Sequence, residues 1–421
     1  MSVLLFNLLL YLVPCISLLL IDKGLTLRTI LLLFISFNAL CSIYTWNNGI
    51  YLEFSSGLYY NEISVLPALL IWIGLMIVFL PILQFREKSI EIIQLPPPGK
   101  IKYFSIFGTV LGLLLIAMMI IPVLKGLMSG FGELYVGSKT GEALFSGIVY
   151  KLYHLYSSIQ IPLMLYWGYY ISFIKKSKLN SLLLFIAAFI PSIIYGIGGA
   201  SRGMLFFRFI DAFIILLIFR KFIDRRMLQR AGAVLILFVA FLLFVSILIT
   251  KGRFGEGNII FKIIAQYFGE SFINANIHFF ENVKSPLFGE RMFPDLYTWF
   301  SGNSIENFSS KFEAWSYYTN KVEVYIHYFK TLPIDFYIEF GVIGAGIIIL
   351  FLSIVGKRYI KESAEMPFYR LFWVVYFYQI CMGSIFGFTK AGHDNMLRFL
   401  GLVILYLFFR INFSKITLQR I

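Results

Sequence analysis

Acidic residues are scarce in this 421-residue chain: 22 Asp and Glu stand against 36 Lys and Arg, and charged residues make up only 14%. With 59% apolar residues and a mean hydropathy of +0.82, the chain holds more apolar side chains than a soluble domain of this size can bury. That excludes a soluble globular enzyme. Cysteine is nearly absent, and Cys15, Cys41 and Cys381 all lie inside apolar runs, which rules out a disulfide framework and a Cys-based zinc site. The formal charge of +14 would suggest nucleic acid in a soluble protein. In an apolar chain it is read first as a signal of membrane topology.

What the sequence has in abundance is long apolar runs. About 20 such residues span the hydrocarbon core as a helix. Eleven runs qualify, at 2–21, 29–45, 63–83, 104–124, 148–174, 180–199, 204–219, 231–249, 334–355, 370–388 and 396–412. The first has no basic leader and no small-residue cleavage site, so it is kept as a helix. The expectation is an all-α polytopic membrane protein, one integral membrane domain over residues 1–421. Segments following the odd-numbered spans carry 21 of the 36 basic residues, among them Lys23, Arg28, Arg86, Lys88, Lys100, Arg220, Lys221, Lys357 and Arg410. By the positive-inside rule the N-terminus lies outside and the C-terminus in the cytoplasm. The cytoplasmic segments then sum to +15 and the remainder to −1, so the basic excess belongs to topology and no nucleic-acid partner is expected.

Residues 250–332 form an 83-residue external loop, far longer than an ordinary connection. Within it Ile260, Ile263, Ile264, Tyr267, Phe268, Phe272 and Phe279 recur at helical spacing beside Glu270, Asn274 and His278, which predicts an amphipathic helix on the outer membrane surface. The stretch 293–329 interleaves rings such as Trp299, Phe300, Phe312 and Trp315 with Asn303, Glu306 and Glu313. Stacking faces beside amides and carboxylates suit a polyhydroxylated sugar; an interfacial aromatic belt explains the same pattern. Pro96, Pro97 and Pro98 make a stiff cytoplasmic connector.

Charges at the membrane edge are costly and mark function. Arg202 stands in Gly198-Gly199-Ala200-Ser201-Arg202-Gly203, a tight turn between two spans, where a guanidinium fork suits a phosphate. Lys251 and Arg253 open the long loop on a glycine-rich backbone, and Arg291 precedes Gly302 further along. Arg208 and Asp211 are spaced to pair on one helix face. His393 lies beside Asp394, an acid able to orient it for base catalysis, while His154 reads as a satisfied core residue. No Asp-x-Asp, Asp-x-Glu or spaced histidine pair occurs, which disfavours metal-dependent glycosyl transfer, and no Gly-x-Ser-x-Gly or P-loop is present.

The Gly-Ser-Arg-Gly turn, the large external loop entered through basic and glycine residues, and the late helix opening Phe336-Tyr337-Ile338-Glu339-Phe340-Gly341-Val342-Ile343-Gly344 together resemble the Wzy-type polymerases of O-antigen and capsule repeat units, relatives of the O-antigen ligases. The likeness spans most of the chain, chiefly 195–350. The Arg291 to Gly302 spacing matches a motif of some members, and the second copy expected in an earlier external loop is absent. The resemblance implies a GT-C-like architecture in the bacterial cytoplasmic membrane and a transfer without metal or other cofactor. A growing glycan on undecaprenyl pyrophosphate would pass to the hydroxyl of a lipid-linked repeat unit, with membrane lipids, a flippase and a chain-length regulator as partners. Arg202, Lys251, Arg253 and Arg291 would face the pyrophosphate, and His393, Asp394, His278 or Glu270 would serve the acceptor hydroxyl, His393 foremost. A ligase of the same fold fits the same features. A flippase fits less well, since transporters favour two related halves, and an outer-face acyltransferase lacks a nucleophile.

Overall fold

Apolar runs of this length satisfy their backbone polar groups without water only as helices. The structure, a computed structural model, describes residues 2–50, 63–140, 144–145, 147–174, 177–254, 259–278, 286–306, 308–323, 326 and 329–411, with backbone alone at 252–254, 259–261 and 278. Fifteen α-helices and a single pair of three-residue strands carry the regular structure of these residues. Seven helices are long and apolar enough to cross a membrane: α1 (Ser2–Asp22), α2 (Leu27–Asn47), α3 (Val65–Gln84), α4 (Pro98–Ser129), α7 (Lys178–Gly198), α9 (Arg225–Phe254) and α13 (Leu332–Tyr359). The other four expected spans are helical too, as α6 (Gly147–Tyr169, continued by a π turn to Ile174), α8 (Arg202–Phe219), α14 (Phe368–Gly383) and α15 (His393–Arg410). Three charged residues in each of α8 and α15, the polar and tyrosine-rich sequence of α6 and the 16-residue length of α14 set them apart from the seven. Shorter helices are α5 (Phe131–Thr140), α11 (Pro294–Ser301) and α12 (Lys311–Val322).

The chain gathers into two compact units. One comprises residues 1–86, 257–361 and 377–393. In it, Thr26 and Thr29 cap the start of α2 reciprocally, hydroxyl to backbone N–H in both directions. The buried Arg28 pairs with Asp22 across that turn and donates to the Leu83 carbonyl at 3.2 Å. Helix α10 (Ile259–His278) belongs here and differs from the surface helix expected. Every residue from Ser271 to Ile277 is buried, and Gly269 sits so close to α2 that a Cβ there would lie 2.6 Å from the Cys41 backbone. Two of its buried polar residues bond to protein: Asn274 donates to the Phe329 carbonyl at 3.0 Å, and Asn276 exchanges two 2.8 Å hydrogen bonds with the backbone of Ser64. Phe268 packs on Phe34 and Phe37 of α2. An apolar stripe with this much buried polar surface is a core helix.

The second unit comprises 87–256, 362–376 and 394–421. Strand β1 (Ile92–Gln94) pairs in parallel with β2 (Glu365–Pro367), joining two segments that the Lys/Arg bias assigns to one side of the membrane. Pro98 is not part of a free connector but opens α4 at its first turn, where a proline costs no hydrogen bond. Lys221 donates to the Lys88 and Ile90 carbonyls, and Lys100 to those of Phe408 and Ile411. Contacts thus join ends of odd-numbered spans to one another. At the other ends, Arg202 meets Thr250 and Tyr150 meets Asp394.

Candidate functional site

In the first unit, Gly341 interrupts α13 with φ +69° and ψ −178°, a conformation essentially confined to glycine. The turns before this break carry Asp335 and Glu339 four residues apart, hence on one face. The freed backbone is taken up by a neighbouring segment, with Leu287 N–H donating to the Ile338 carbonyl at 3.3 Å and Phe288 N–H to that of Glu339 at 2.5 Å. Arg291 then bridges both acids: its Nε donates to Glu339 Oε1 at 2.6 Å and its Nη2 to Asp335 Oδ1 at 3.0 Å. Burial works against the guanidinium's charge, but the two carboxylates overcome it and hold its proton more firmly than usual. Lys330, 2% exposed, lies close to the same charges, and its Nζ makes no hydrogen bond among the described residues. Burial pushes its ammonium down to about 7, against the pull of Asp335 and Glu339. Arg291 is therefore a neutralised strut, unlike the free external cation expected. A pyrophosphate would compete with two carboxylates already in place.

Asp335 uses its second oxygen to accept from the Phe388 N–H at 2.7 Å, and the Phe388 ring packs on Phe293. Gly392, at φ +90°, donates its N–H to the Met292 carbonyl at 2.8 Å. These contacts bind the loop before α15 to the segment before α11. They bring His393, first residue of α15, against Asp295 in the first turn of α11, with Nδ1 at 2.8 and 2.9 Å from the two carboxylate oxygens. The expected partner was Asp394. Adjacent helical residues do not face each other, and the acid that orients the imidazole comes from 98 residues away. His393 remains open, with 58% of its side chain exposed. One turn beyond Asp295 on α11, Trp299 and Phe300 are also exposed and lean on each other. Glu270 accepts from Gln266, one turn earlier on α10, at 3.2 Å.

In the second unit, Asp394 accepts from the Tyr150 hydroxyl at 2.8 Å and has His154 Nε2 at 3.6 Å. Arg398 reaches His154 Nδ1 at 3.4 Å and stands over the Tyr153 ring, which stacks on Tyr195 at 3.7 Å. His154 is thus satisfied by a polar network, as expected of a histidine within its span. Tyr150 and His154, like Asp394 and Arg398, are four apart on their helices; that spacing was readable, whereas the adjacency of α6 and α15 was not. Arg208 pairs with the fully buried Asp211 at 3.0 Å as expected.

Arg202 is the first residue of α8, whose N-cap Ser201 accepts from the Met204 N–H. Its Nη1 donates to the Thr250 hydroxyl at 3.0 Å near the end of α9. Lys251 follows, exposed and helical, because α9 runs on to Phe254; the remainder of the expected glycine-rich stretch, 255–257, lies outside the described residues. The side chains of Arg253 and His278 lie outside the described residues. No protein-family model, curated protein or solved structure matches the chain.

Proposed function

We propose that this chain is a polymerase of lipid-linked oligosaccharide repeat units, a metal-independent glycosyltransferase of GT-C-like architecture acting at the outer face of the bacterial cytoplasmic membrane. The growing glycan leaves undecaprenyl pyrophosphate and joins the hydroxyl of an acceptor repeat unit. The observation that carries this reading is the setting of Arg202. Its guanidinium stands at the positive end of the α8 dipole and is fixed by Thr250 beside the exposed Lys251. Fixed cations at a helix start stabilise the charge that develops on a departing pyrophosphate without reorganising during the reaction. In this reading the basic ends of the odd spans are cytoplasmic, and Arg202 faces outward.

Deletion of the coding sequence in the native strain, followed by gel analysis of surface glycan, tests the reading. Loss of the ladder with one repeat unit retained supports a polymerase. Unattached long polymer points to a ligase instead, and complete loss of surface sugar to a flippase. Restoring the gene with Arg202→Ala should leave protein abundance normal and the ladder absent. A full ladder from that variant would overturn the assignment of Arg202.

A further inference from the structure

The polymerase reading leaves the acceptor side of the reaction without a described site. We infer that the first turn of α11 and the first residue of α15 form it, with Asp295 fixing the tautomer of His393 so that Nε2 takes the proton of a sugar hydroxyl. This inference rests on the proposed function for its substrate and on geometry for its parts. An ionised carboxylate only accepts hydrogen bonds. With both Asp295 oxygens within 2.9 Å of Nδ1, a proton sits on Nδ1, so in the neutral imidazole the lone pair is left on Nε2. The pair is built rather than accidental: Gly392 N–H on Met292, the ring of Phe293 on Phe388, and Asp335 on the Phe388 N–H pin the two segments from both sides. Close in sequence to His393, Lys390 donates to Gln379 at 2.7 Å and Asp394 accepts from Tyr150. The exposed Trp299 lies one turn from Asp295 on the same helix, which gives a sugar ring a face to stack on beside the base.

In the step this arrangement supports, the acceptor oxygen forms a bond to the anomeric carbon as its proton passes to His393 Nε2. The bond from that carbon to the pyrophosphate oxygen breaks, and its electron pair leaves with the phosphate. The imidazolium then returns its proton to water. Asp295 acts through His393, the partner of its hydrogen bonds among the described residues, and is a positioning residue, and Arg291 acts one layer further back by holding Asp335.

The chain has four histidines, so solid-state ¹⁵N spectra of histidine-labelled protein in lipid resolve the tautomer of each, with His393→Gln identifying its signals. The expected result is that the neutral imidazole of His393 carries its proton on Nδ1 and leaves Nε2 bare. In Asp295→Asn that preference should be lost, and in Asp295→Glu retained. In the native strain Asp295→Asn and His393→Gln should each cut polymerisation by about 100-fold, the scale of a lost general base, with Asp295→Glu partly restoring the ladder. An unchanged His393 spectrum in Asp295→Asn overturns the pairing itself. A changed spectrum with a full ladder in both variants overturns the catalytic role while the pairing stands. A ladder that survives gene deletion defeats the polymerase reading, and with it the acceptor assignment, whatever the spectra show.

Discussion

Arg291 and Glu339 meet at 2.6 Å across 48 residues of sequence, and the carboxylate side chain is fully buried. Removing one member of such a pair leaves the other charge stranded, which costs about 3–5 kcal/mol. Arg291→Ala strands two carboxylates and should lower the thermal midpoint of the purified protein strongly. Glu339→Gln, which leaves Asp335 in place for the guanidinium, should cost less. Equal midpoints for Arg291→Ala and wild type would show that the cluster contributes nothing to stability.

Gly341 and Gly346 provide a matched comparison within one helix. At Gly341 the backbone conformation is one that a side chain resists by about 1–3 kcal/mol. At Gly346 the helix is regular and nothing lies within 4 Å of an added Cβ. Gly341→Ala should therefore destabilise, while Gly346→Ala should be neutral or stabilise by up to about 1 kcal/mol. Thermal midpoints in detergent would decide it; a tolerant Gly341 would mean the break is not required.

Lys330 predicts a pH dependence. With its ammonium near 7 in the folded state and 10.5 as its ordinary value, the unfolded chain binds more protons between those limits. Stability from this group therefore rises with pH from about 7 upward and is least below it, where the folded protein must bury the charge. Lys330→Met should flatten the rise in thermal midpoint across that window. Parallel curves for variant and wild type would refute the assignment.

Much of the helix plan was legible because a run of some twenty apolar residues leaves the backbone few options. All eleven expected runs are helical. Helix α10 departs from its expected place for a physical reason: Asn274, read with Glu270 and His278 as a polar face, is buried, as are Ser271 and Asn276, and the partners of Asn274 and Asn276 come from Phe329 and Ser64. The candidate site was legible only as residue types. Arg202, His393 and Arg291 were singled out, but what each does depends on a partner far along the chain. Arg291 changes meaning once Asp335 and Glu339 are beside it, and His393 once Asp295 replaces Asp394. Lys330 gave no local signal, since its burial comes from the fold around it.

The parallel pairing of Ile92–Gln94 with Glu365–Pro367 carries a consequence for the order in which the molecule is made. A strand near the first quarter of the chain waits for its partner until most of the protein has left the ribosome. Contacts of such long sequence separation form late. During synthesis the early helices of that unit must therefore persist in the membrane with an open edge at Ile92–Gln94. A chain truncated before Glu365 would keep that edge exposed, so it is there that quality control could recognise an unfinished molecule.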